Sequence, residues 1–248
     1  MNRRHWANGP CTPFQRATAP NLPVMFKDTL IVAIGTAMSR LTGLLRVVVF
    51  GIIIGQTALA DAFDGANNSP NSIYELLVGG LLAASLVPLF TRFAEDEDDE
   101  ATNAVVSVSL IVLAIATAVA VAAAPLIFRL FSLHVSPLVD PEQFRHVGTV
   151  MSRIFLIQIF FYGLTAIASA LLNSRRHFFA AAWSPVLSNV ITITMLLIIP
   201  FTRDGTPGLE TVLSDHTFFW LFTMSATAGV MAMGLVLIPA LKRADITL

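Results

Sequence analysis

Charge is scarce in this chain. Asp, Glu, Lys and Arg make up only 12% of the 248 residues against 55% apolar, and the mean hydropathy is +0.74. A soluble domain is about a quarter charged, so the composition implies a polytopic membrane protein. Cysteine is scarcer still: Cys11 stands alone, which excludes an intramolecular disulfide and a thiolate metal cluster. His5, His134, His146, His177 and His216 are scattered without HExxH spacing, and no GxGxxG, P-loop or nucleophile elbow occurs. Neither an enzyme nor a bound cofactor or metal is therefore expected. The formal net charge of -1, with basic residues spread around the apolar runs, leaves no nucleic-acid footprint. The alternation of a membrane barrel is also missing. Only helices then satisfy the backbone in lipid.

What is present is a series of apolar runs, each long enough for a crossing of about 20 residues. Six helices are predicted, near 29–56, 60–92, 102–131, 147–173, 181–200 and 213–241, forming one transmembrane bundle over 29–241. Residues 1–28, broken by Pro10, Pro13, Pro20 and Pro23, read as a disordered tail, and 242–248 as a short polar end. Arg3, Arg4, Arg16, Lys27, Arg92, Arg175, Arg176, Lys242 and Arg243 fall on one side of this topology, and Arg129, Arg145 and Arg203 on the other. The basic-rich side is expected to be cytoplasmic and to hold both termini. The acidic run from Glu95 to Glu100 does not change this, because the rule counts Lys and Arg.

Function should reside in the stretch from Ser39 to Phe93. Arg40 and Arg46 lie in its first helix, six residues apart, about 9 Å along the axis and about 120° around it. Two guanidiniums so placed suit a large anion, since the planar fork donates paired hydrogen bonds to phosphate oxygens. Structural ion pairs or snorkelling to the interface are the alternatives. In the next helix Asp61, Asp64, Asn68, Asn71 and Glu75 recur at steps of three and four, drawing one stripe on one face. Charges at membrane depth are costly and mark a water-filled path by default. Asp61 is placed either as a helix cap or as an arginine's partner; the amides serve as cavity lining or as glue between helices. Pro70 predicts a kink or local unwinding, and Gly79 with Gly80 a hinge or a close helix approach.

The segments SRLTGLLR (39–46), ADAF (60–63), SPNSIYELLVGGLLAASLVPLF (69–90) and LLNSRRHFFAAAWSPVLSN (171–189) resemble the MurJ/MviN lipid II flippases, within the superfamily of multidrug, oligosaccharidyl-lipid and polysaccharide exporters. The wording SIYELLVGG is similar to actinobacterial members. The resemblance implies an all-α bundle equivalent to one lobe of a MATE-like transporter, the N-terminal one, with Arg40 and Arg46 as ligands of the lipid-linked diphosphate and Asp61 as the essential acid. A further family arginine falls on Tyr74, which cannot supply a positive charge, and a family glutamate falls on Gly79, leaving Glu75 as the offsetting acid. Asp64, Asn68, Asn71, Tyr74, Glu75, Gly79 and Gly80 are then cavity lining or gating positions. The expected partners are lipid II (undecaprenyl-diphosphate-linked precursor), membrane lipids, and a missing C-terminal lobe or second membrane subunit. Drive is expected from the membrane potential or a coupling ion, and the location is the plasma membrane. The rival readings are a polysaccharide or drug exporter of the same superfamily and a nontransporting scaffold or regulatory subunit.

Overall fold

The computed structural model describes residues 22–76, 82–96, 98–133 and 135–244. These form eleven helices: α1 (Leu22–Ile54), α2 (Ala58–Tyr74), α3 (Leu82–Glu95), α4 (Asp99–Ala122), α5 (Ala124–Phe131), α6 (Pro141–Phe155), α7 (Gln158–Ser174), α8 (Phe178–Thr202), α9 (Leu209–Ser214), α10 (His216–Leu235) and α11 (Leu237–Arg243). No strand occurs among the described residues, and the protein is an all-α polytopic membrane chain. Five spans are long and apolar enough to cross a membrane: 26–54, 99–122, 141–174, 178–202 and 216–243. The second predicted helix is represented by α2 and α3, on either side of 77–81. Three other predicted helices are subdivided, at Ala123, at Leu156–Ile157 and at Val236. Two begin well before hydropathy indicates, α1 and α6. α1 already includes 22–28, and α6 starts at Pro141, where Asp140 accepts the Glu142 amide as a cap.

α8 is the spine, packing along α1 on one side and α10 on the other. Its approach to α10 is set by Gly229, where an added Cβ would lie 2.7 Å from the Ser188 carbonyl oxygen. On the α1 side, Asn189 donates through Nδ2 to the Ser39 carbonyl and the Thr42 hydroxyl, each at 3.1 Å. An amide hydrogen bond of this kind between membrane helices contributes about 1 kcal/mol and fixes register. Two large apolar cores lie within the bundle, beside a smaller one of Ala120, Ala124, Leu156 and Ile159. Of the large two, one gathers Phe63, Phe128, Phe155, Phe218 and Phe222, and the other Leu86, Phe90, Leu113, Ile167 and Leu237.

Pro70 does not unwind α2, which runs through it to Tyr74. A proline leaves the carbonyl four residues back without its amide. Here the Ser69 hydroxyl donates to that carbonyl, Ala66 O, at 2.7 Å. Ser184 repeats the device before Pro185, donating to Ala181 O at 3.2 Å. The irregularity comes later, where the chain widens into a π turn at Glu75 and Leu76. Among the described residues nothing lies within 4 Å of a Cβ added at Gly51, whereas Gly55 turns the chain out of α1 at a φ of +73°.

Candidate functional site

The face of α2 is decided by its composition. Leu59, Ala62, Phe63, Ala66, Ser69 and Pro70 are buried against the bundle, and Asp61, Asp64, Asn68, Asn71 and Glu75 are all exposed. The stripe is therefore a physical surface. Its end next to α1 forms the wall of a cleft of about 560 Å³, lined by Arg46 of α1, Gln56 of the turn, Asp61, Asp64 and Asn67 of α2, and Thr192 of α8. The cleft rests on aromatic packing. Phe63 lies 5.0 Å from Phe50, 5.1 Å from Phe155 and 4.6 Å from Phe222, centroid to centroid.

Asp61 is not the cap of α2. That role belongs to Thr57, whose hydroxyl accepts the Ala60 amide at 3.3 Å. Asp61 sits in the first turn, where a carboxylate is favoured by the exposed amides, and its charge is free to face the cleft. Among the described residues neither Arg40 nor Arg46 has an acid within 4.0 Å, and the one ion pair is Arg175 with Asp99. Structural ion pairing is thereby excluded for both arginines within those residues. The two do not share the cleft: Arg46 is half-buried in its wall, while Arg40 is exposed on α1 outside it. Asn71 donates to Glu75 at 3.2 Å, one turn apart. Tyr74 is half-buried, its ring 5.4 Å from that of Tyr162. Gly79 and Gly80 lie outside the described residues.

Two groups went unrecognised in the sequence. Asn67 continues the Asp61–Asp64 spacing by another three residues and lines the cleft. Gln158 is fully buried at the α6–α7 break and binds on three sides: it donates to Thr227 at 3.1 Å and to Asn67 at 3.5 Å, and accepts from Tyr162 at 3.4 Å. An isolated glutamine inside an apolar run was the available signal.

The family model for "Lipid II flippase MurJ" matches residues 50–248. The chain belongs to the MurJ family. It is 30% identical over 227 residues to the lipid II flippase MurJ of Burkholderia cenocepacia, covering 89% of this chain and 41% of that protein. That coverage leaves too few residues outside to omit Arg40 or Arg46. It is 29% identical to the probable lipid II flippase MurJ of Rhizobium tropici (86% of this chain, 39% of the relative) and 28% identical to the lipid II flippase MurJ of Thermosipho africanus (69% and 35%). The chain thus spans about two fifths of the length of these MurJ relatives.

Proposed function

We propose that this chain supplies the N-terminal lobe of a lipid II flippase, moving undecaprenyl-diphosphate-linked precursor from the cytoplasmic to the outer leaflet by alternating access. The observation that carries the reading is the cleft joining Arg46 to the polar face of α2, in a chain of the MurJ family. Arg46 and, on the adjoining exposed surface, Arg40 would hold the diphosphate through charge-assisted hydrogen bonds. The lipid tail would stay in the bilayer. Asp61 and Asp64 would balance the charge of Arg46 across the empty cleft without a direct ion pair, leaving its guanidinium open to phosphate. No covalent step is required, so the activity is transport and not catalysis.

One guanidinium against two carboxylates leaves the cleft itself acid-rich. That excess favours coupling to a cation or to the membrane potential, which contributes about 2.3 kcal/mol per charge moved across 100 mV. It also means that further positive charge must come from the facing lobe. With the basic-rich end taken as cytoplasmic, the cleft, which reaches the α1–α2 turn, opens towards the outer side.

The test is complementation of conditional lipid II flippase loss in the plasma membrane of a bacterial host, by this chain alone and by the chain joined to a relative's C-terminal lobe. Rescue is expected for the joined form, and R40A or R46A should abolish it without loss of membrane insertion. Normal rescue by both variants would overturn the arginine assignment.

A further inference from the structure

At the end of the bundle opposite the α1–α2 turn, a cavity of about 320 Å³ is lined by Lys27 of α1, Arg176 and His177 of the α7–α8 turn, Arg243 of α11, one acid, Asp28, and Phe179. It shares no residue with the cleft. We propose that this cavity binds the phosphate headgroup of an anionic glycerophospholipid.

The argument starts from the backbone. α7 closes with the His177 amide donating to Leu172 O at 2.8 Å, the six-to-one bond of a glycine-type helix ending. The position that glycine normally fills there is Arg176, held at a φ of +61°. A β-carbon is disfavoured in that conformation, so backbone geometry does not explain the residue. Its charge does. The neighbouring arginines are divided: Arg175 turns to Asp99 of α4 at 3.4 Å, and Arg176 faces the cavity. Among the described residues, Lys27, Arg176, His177 and Arg243 have no ion-pair partner. Basic side chains from three parts of the chain therefore converge on one space with a single carboxylate among its described lining residues.

The surroundings identify the source of the phosphate. Phe179 lines the cavity, is 61% exposed and stacks on Trp183 at 5.7 Å; Phe26, beside Lys27, is 71% exposed. Tryptophan near the ends of spanning helices marks the headgroup level of a bilayer, and Trp183 lies in the second turn of α8. Basic pockets between such helices are where anionic headgroups lodge. A free phosphate would have no use for the apolar rim. This inference stands independently of the transport reading.

The test is native mass spectrometry of the full chain, delipidated in detergent and titrated with phosphatidylglycerol or phosphatidylcholine. One phosphatidylglycerol should bind in preference to phosphatidylcholine. R176G and R243Q should each weaken it by about fivefold, the effect of one basic charge near an anionic surface, and together by more than tenfold. R176G supplies the residue that the turn geometry favours, so its melting temperature should not fall. K242Q, at an exposed neighbour outside the cavity wall, should leave binding unchanged. Equal binding of the two lipids, an unchanged double variant, or an equal loss in K242Q would overturn the proposal. Displacement of the lipid by equimolar inorganic phosphate would assign the cavity to the free ion instead, and so would overturn it too.

Discussion

α2 and α4 solve the same packing problem and present opposite chemistry to the outside. Each buries one face against the bundle. The outward face of α4 carries Val108, Ile111, Val112, Ile115 and Val119, all more than half exposed, whereas that of α2 carries Asp61, Asp64, Asn68, Asn71 and Glu75. Exposure therefore has two meanings in a membrane protein. An aliphatic face spends nothing in hydrocarbon, but a carboxylate there costs several kcal/mol unless water reaches it. α4 thus has the surface that lipid favours and α2 the surface that a wet cavity favours, and substitutions that exchange the two characters test this directly.

The largest effect is expected from placing an acid on the aliphatic wall. Ile111 lies near the centre of α4 and is 60% exposed. Ile111→Asp should make insertion of the 99–122 segment less favourable by about 3 kcal/mol, as read by glycosylation mapping of that segment in microsomes. Insertion indistinguishable from that of the native segment would show that α4 does not face lipid.

A smaller loss is expected at the link between the cavity wall and the interior. Gln158 ties Asn67 on α2 to Thr227 on α10. Gln158→Leu removes both of these bonds and the one from Tyr162 while keeping much of the volume, and should lower stability by about 1 kcal/mol in detergent unfolding. A stabilised variant would mean that the network is dispensable packing and that α2 is held by its apolar face alone.

The contrast between the two helices was legible in the sequence because charges are so few. Asp61, Asp64, Asn68, Asn71 and Glu75 stand out at helical spacing in an otherwise apolar stretch, and the structure places all five on one exposed face. Which of Arg40 and Arg46 would enter the cleft was not legible. It depends on the rotation of α1, which Asn189 sets from a helix about 150 residues away by gripping Ser39 and Thr42. The continuity of α2 through Pro70 was concealed for a local reason: the compensating donor is the preceding serine, and the rule that proline breaks a helix takes no account of it. Likewise the cap at Thr57 rather than Asp61 follows from the turn at Gly55, whose geometry fixes where α2 begins.

The smallest predicted change in stability discriminates best because its sign differs between the two environments. Asp64 is exposed on α2, has no ion-pair partner among the described residues and lines the cleft. If α2 faced lipid, Asp64→Leu would remove a charge from hydrocarbon and stabilise insertion by about 3 kcal/mol, the reverse of the change at Ile111. In a water-filled cleft the carboxylate is already solvated, and a leucine there exposes apolar surface to water while breaking no ion pair. Stability should then stay within about 0.5 kcal/mol of the native chain, with insertion unaltered. Transport in the lobe-joined form should nevertheless fall, because Arg46 would lose part of the charge that balances it in the empty state. Strong stabilisation by Asp64→Leu, with transport intact, would turn the polar face of α2 from a cavity wall into a lipid-facing surface.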